Sequence, residues 1–182
     1  MIKKLTYIVA IVACFASSLA HAKWVQLKRQ SVFIDAPSDW VAQKDVFGMP
    51  LMWRSPKKVN GRVILNIVPT GLKSRYSDPK ELSKDQEYYR AGRRKWIKER
   101  AGEFIKFKPY QKLKWKSVRD VHTIGVEYEL AGIHYSEQSY YLNCGGEFYH
   151  LKTLYRQNEW ADQQNKIKGI VSTFRCKGGG AK

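Results

Sequence analysis

The chain has 182 residues and a formal net charge of +17, from 33 Lys and Arg against 16 Asp and Glu. Apolar residues make up 43% and aromatics 13%, a composition that excludes a disordered chain and suits one packed domain of ordinary size. The charge keeps such a domain soluble and draws it toward anions.

Residues 1–22 read as a secretory signal peptide. Lys3 and Lys4 form its positive start, 5–16 its apolar run, and Ala20-His21-Ala22 its small-x-small cleavage site. Ile11-Val12-Ala13-Cys14 also resembles a lipobox, which would place a lipid on Cys14. The apolar run ahead of Cys14 is short and continues through Phe15 to Leu19, so cleavage after Ala22 is the expected route. The expected location is therefore periplasmic or secreted, which excludes cytosolic and nuclear roles. No later stretch is long and apolar enough to span a membrane. The folded domain is expected over 23–176, with a flexible glycine-containing tail at 177–182.

Residues 31–35 alternate toward a first strand, and Pro37-Ser38-Asp39-Trp40 is a turn that lands an aromatic on the core. Strands follow at 49–54 and 62–68, joined by a loop containing Asn60-Gly61. The second is nearly all apolar, as a strand central in its sheet is. Asp78-Pro79-Lys80-Glu81 is a helix start with a cap, a first-turn proline and a capping-box acid. Leu82, Tyr89 and Trp96 then recur at heptad spacing and give the helix a buried stripe.

Residues 104–115 alternate around Pro109. Ile105, Phe107, Leu113 and Trp115 share one parity, and Lys106, Lys108, Lys112, Lys114 and Lys116 the other. One or two strands with an apolar face and a lysine face are predicted. In 123–130, Ile124, Val126, Tyr128 and Leu130 are expected inward, and Glu127 and Glu129 outward as surface charges. Residues 135–142 and 148–155 form a hairpin turning near Gly145-Gly146. Of the adjacent Tyr140 and Tyr141, at least one is expected to face outward. Trp160, Gln164, Ile167, Val171 and Phe174 mark the last helix, with Asn158 as its cap. The fold class is α+β: an α-β-α sandwich with a largely antiparallel central sheet and two main helices, at about 79–101 and 159–174.

Three stretches carry a family resemblance: 32–40 (Val-Phe-Ile-Asp-Ala-Pro-Ser-Asp-Trp), 147–155 and 167–174. They are similar to the opening strand-Pro-x-x-Trp, the penultimate strand and the final helix of the PsbP/DcrB-like family of exported α-β-α sandwich proteins. The resemblance implies a non-enzymatic accessory or binding domain, and brings no catalytic residues with it.

Removal of the leader takes Cys14 and leaves Cys144 and Cys176. In an oxidising compartment two thiols suggest one disulfide, tying the turn near Gly145 to the end of the last helix; two thiols that never meet is the alternative. His122, His134 and His150 show no metal-ligand spacing, and neither a metal nor a cofactor is expected. Ser55-Pro56-Lys57-Lys58 and Ser77-Asp78-Pro79-Lys80 match Ser-x-x-Lys, as chance allows in a lysine-rich chain.

The strongest functional feature is the basic stretch 90–116. Arg90, Arg94 and Lys98 lie on one helix face, and Lys106, Lys108, Lys112, Lys114 and Lys116 on one strand face. If those faces adjoin they form a cationic surface for phosphates or acidic polymers; the alternative is a solvated face with lysines guarding a sheet edge. The expected function is a non-enzymatic envelope binding or accessory domain. Its partner is an anionic envelope component (lipid head groups, lipopolysaccharide or wall polymer) or an acidic protein, and not nucleic acid. The competing classes are a periplasmic hydrolase with scattered site residues and a structural subunit of an envelope complex.

Overall fold

A computed structural model describes residues 25–27, 30–55, 62–67, 79–118, 120–144, 147–156 and 160–177. The expected leader, Cys14, the caps at Asp78 and Asn158, and the tail beyond 177 lie outside the described residues.

Among the described residues, ten strands and two helices follow in the order β1 (Val25–Leu27), β2 (Gln30–Phe33), β3 (Val41–Val46), β4 (Met49–Arg54), β5 (Arg62–Ile67), α1 (Pro79–Lys98), β6 (Glu103–Leu113), β7 (Val121–Leu130), β8 (Ile133–Cys144), β9 (Glu147–Arg156), α2 (Trp160–Ser172) and β10 (Arg175–Lys177). Seven strands form one antiparallel sheet in the order β3-β4-β5-β9-β8-β7-β6. The nearly apolar β5 lies inside it, as its composition predicted. A second sheet, β1-β2-β10, joins the two ends of the domain.

The two helices cover opposite faces of the large sheet. Ile167, Ile170 and Val171 of α2, with Phe174 just beyond its end, enter the main core with Leu51, Trp53, Val121, Tyr140, Leu142, Tyr149 and Leu151. Trp40 joins this core from its turn. On the other face Ile97 of α1 packs on Val126 and Tyr128, with Trp96, Phe104 and Phe107 around it. This is the expected α-β-α sandwich. Tyr140 and Tyr141 consequently point to opposite, covered faces: Tyr140 is 4% exposed and Tyr141 half-buried. Neither faces outward as an open surface group.

Helix α1 ends in paired bonds from Gly102 N–H to Ile97 C=O and from Ala101 N–H to Lys98 C=O, with Ala101 at φ +51°. This is the Schellman pattern, which satisfies carbonyls that the helix leaves open. Gly102 is required by the close approach of β7. A Cβ there would fall 2.3 Å from Leu130 Cδ2 and 2.6 Å from the Glu129 carbonyl oxygen. The chain can therefore turn from α1 into β6 directly against the end of β7.

A buried ion pair fixes α1 to the sheet. Arg93 Nη2 lies 2.8 Å from Glu137 Oε2, with Lys152 Nζ 3.6 Å from the other oxygen. The Arg93 guanidinium also sits over the rings of Trp96 and Tyr128. Removing one partner would strand a charge in a site of low dielectric, so the pair constrains where α1 docks even where its net contribution is small.

Cys144 and Cys176 form a disulfide across 32 residues, with their Cα atoms 6.1 Å apart. The bridge ties the end of β8 to β10, one element beyond the helix end expected from sequence. A loop of this length constrains the unfolded chain by roughly 3–4 kcal/mol. The Cys144→Ala/Cys176→Ala variant is expected to lose about that much in urea unfolding.

His150 lies on the α1 side, its ring stacked on Tyr141 at 4.4 Å and 9°. Burial, helped by the Lys152 charge, pushes its pKa down to about 3. The folded state holds it neutral while the unfolded chain takes up a proton below about 6.5, so stability is lost as pH falls from there toward 3. The urea midpoint is expected to drop over that window, and to drop less in His150→Gln.

Candidate functional site

Strand β6 does not alternate as its sequence reads. Its pairing with β7 shifts between Phe104 and Lys106, and again between Lys108 and Gln111. Each shift places an extra residue on β6, and each extra residue reverses which side chains meet which face. The second falls at Pro109, which has no N–H to give to the ladder.

The expected single lysine face is therefore divided. Lys106 and Lys108 pair with Glu127 and Gly125 and face α2. Lys112 pairs with His122 on the α1 side, and its Nζ lies 2.9 Å from Asp120. Lys114 and Lys116 are exposed beyond the strand. The expected apolar parity is divided too: Phe107 packs toward α1, Leu113 and Trp115 toward the α2 core, and Ile105, at the first bulge, is 39% exposed. Arg90 and Arg94 lie across the rings of Phe107 and Phe104 on the α1 side, with Arg90 also paired to Glu87 at 2.7 Å. Lys98 is exposed at the end of α1. The eight expected cations thus do not share one surface.

Lys106 and Lys108 open onto a cleft of about 630 Å³ between the sheet and α2. Its floor is a ladder of cross-strand rows on β6, β7 and β8, and the rows change in polarity. Leu113, Val121 and Leu142 form an apolar row. Gln111, Thr123 and Tyr140 come next, then Lys108, Gly125 and Gln138, and finally Lys106, Glu127 and Ser136. The wall is one flank of α2, with Gln164, Lys168, Val171 and Ser172, and Trp115 lines the apolar end.

Three lysines, Lys106, Lys108 and Lys168, line this cleft with a single acid, Glu127. Glu127 is 5% exposed and not the surface charge its alternation suggested, because α2 covers the face to which it points. Lys106 Nζ lies 3.2 Å from its Oε2. Glu129, one row further along the same face, keeps partial exposure and pairs with His134 at 2.5 Å. Lys108 donates to the buried Ser136 hydroxyl and lies 5.5 Å from the Tyr155 ring centre. Burial lowers its pKa to about 8, opposed by Glu127 and reinforced by Lys168 and Lys106.

Lys168 was not legible as a site residue. It lies at i+4 from Gln164, beside the apolar stripe of Ile167, Ile170 and Val171, and that flank is the only signal that could have found it. Among the described residues no cluster of His, Cys, Asp or Glu is arranged to hold a metal ion. His122 instead bonds Tyr110 at 2.8 Å.

No family model matches the chain, and no curated protein sequence matches it. Solved structures do. The solution structure of the cyanobacterial PsbP protein CyanoP from Synechocystis sp. PCC 6803 superposes with a TM-score of 0.53 at 11% identity, over 92% of this chain and 99% of that one. LpqN of Mycobacterium tuberculosis, described as involved in cell envelope biogenesis, gives 0.48 at 11% identity over 90% and 96%. The fold is PsbP-like.

Gly125 makes the cleft floor possible. A Cβ there would lie 2.4 Å from the Glu137 carbonyl oxygen, 2.7 Å from Gln138 Oε1 and 2.9 Å from Lys108 Cδ. Gly125→Ala is expected to cost about 1–3 kcal/mol in urea unfolding, because the strand backbone has nowhere to retreat. A loss below about 0.5 kcal/mol, the level of an ordinary surface change, would contradict the close packing.

Proposed function

We propose that this PsbP-like domain is a non-enzymatic binding or accessory module of the bacterial envelope, and that the cleft beneath α2 takes the anionic part of its partner. One observation carries the proposal: Lys106, Lys108 and Lys168 converge on a cleft with one buried acid. The Lys108 ammonium is partly desolvated, and a positive charge so placed attracts phosphate or carboxylate groups more strongly than the same charge in open solvent. The volume lies in the range of small-ligand sites, about 300–1,000 Å³.

The placement in the envelope rests on the sequence: the leader at 1–22 and the cysteine pair, which suits an oxidising compartment. Among the described residues no helix is long and apolar enough to cross a membrane. Anionic lipid head groups, lipopolysaccharide and wall polymers all present the required groups.

Co-sedimentation with anionic vesicles, lipopolysaccharide and purified wall tests the proposal. Binding is expected to weaken with salt, and to fall at least about tenfold in Lys106→Glu/Lys168→Glu. Lys114→Glu/Lys116→Glu makes the same charge change outside the cleft and is expected to retain binding. Equal loss in both variants would move the site from the cleft to the whole basic surface.

The Lys108 ammonium adds a pH signature. Its folded pKa near 8 lies below the ordinary lysine value, so it discharges first as pH rises, and anion affinity is expected to fall between pH 7 and 9. For folding the same shift acts in the other direction. Above about pH 8 the unfolded chain binds the extra proton, so this group's contribution to stability rises with pH. A bound anion draws the proton back, and calorimetry in buffers of different ionisation enthalpy is expected to show proton uptake near pH 8 that Lys108→Met abolishes.

A further inference from the structure

We infer that the ligand of the cleft is an acidic saccharide, in which the lysines hold the carboxylate or phosphate and the polar middle rows read the sugar hydroxyls. This rests on the anion-binding role proposed above and adds the class of ligand. The argument starts from the direction of one amide. Thr123 Oγ1 donates to the Ser139 carbonyl at 2.9 Å, so its remaining capacity is to accept, and it accepts from Gln138 Nε2. That bond fixes the amide orientation. Gln138 Oε1 is left over Gly125, on the cleft floor and beside the Lys108 stem.

A bare anion has only acceptors and gains nothing from a carbonyl oxygen at that point; their partial charges repel. A hydroxyl both donates and accepts, and suits an acceptor set next to a cation. Gln111 and Gln164 border the same cleft with two more carboxamides, each again offering donor and acceptor. Beyond them Trp115, tilted against Tyr140 at 5.4 Å, gives an aromatic wall suited to the C–H face of a pyranose. An acyl chain laid along the same floor would desolvate three amides and a hydroxyl with no return. The sequence of chemistry along β6, cation, then amide, then aromatic, is thus that of a charged sugar rather than of a lipid tail or a free anion.

The test is calorimetric titration of the disulfide-intact chain with four probes. Tri-galacturonate is the acidic saccharide. Tricarballylate carries three carboxylates without hydroxyls, maltotriose carries hydroxyls without charge, and dodecyl phosphate is an anionic amphiphile. Tri-galacturonate is expected to bind at least about tenfold tighter than each of the others, the worth of one or two good hydrogen bonds. Gln111→Ala/Gln164→Ala changes two solvent-accessible side chains and is expected to remove that preference while leaving tricarballylate binding unchanged. If tricarballylate or dodecyl phosphate binds as tightly as tri-galacturonate, and through Lys106 and Lys168, the saccharide inference fails and the anion-binding role stands. A variant that keeps the tri-galacturonate preference also overturns the inference. If no probe binds, both fail.

Discussion

The two bulges in β6 decide what the domain presents on each face. A strand that alternated strictly would place all five lysines on one face and Phe107, Leu113 and Trp115 on the other. The added residue near Ile105 and the one at Pro109 break that symmetry. Phe104 and Phe107 go to α1, Leu113 and Trp115 to α2, and between them Lys106 and Lys108 are turned to the face that α2 covers, where they line the cleft. A charged cleft inside a two-sided hydrophobic sandwich follows from this change of phase. The cost of bringing lysines there is moderated by Glu127 and Ser136, which share the row of Lys106 and lie one row from Lys108 on β7 and β8.

Coverage on both faces also changes what a polar residue in the sheet means. Glu127 and Glu137 both lie in strands covered on both faces, and each is under 6% exposed. On a one-sided sheet such acids face water. Here each has a cation brought to it by a different element: Lys106 from β6 for Glu127, and Arg93 from α1 for Glu137. The Arg93 pair reads as a docking constraint, held between aromatic rings and far from open solvent. The Lys106 pair borders a cleft and leaves two further lysines beside it. The same chemical pairing therefore holds a helix in place on one face and borders the cleft proposed for binding on the other.

Much of the fold was legible because it depends on local signals. The stop of α1, the apolar stripe of α2, the turn that buries Trp40 and the pairing of Cys144 with Cys176 all follow from residues close in sequence or from composition. Strand β3 was not legible: Val41, Ala42, Lys44 and Asp45 are exposed at a sheet edge, so no apolar alternation marks it. Strands β1 and β10 are three residues each, too short to show a period. Of the site, Lys106 and Lys108 were legible as cations, but their grouping with Lys168 was not. That grouping depends on a bulge, on a glycine at the cross-strand position opposite Lys108, and on a helix more than fifty residues away. No period in a single strand encodes those three together.

The small sheet has a bearing on how the chain assembles. Strand β2 is flanked by β1 on one side and by β10 on the other, so a strand from the first fifth of the sequence waits for the last one. During synthesis the N-terminal segment emerges first, and β2 must hold an open edge until everything between has been made. The Cys144–Cys176 bridge belongs to the same late event, because Cys176 sits in β10 opposite Val32. Oxidation of that pair then acts as a latch on the completed topology: it closes a covalent loop around β9 and α2 and pins β10, paired to β2, against the end of β8.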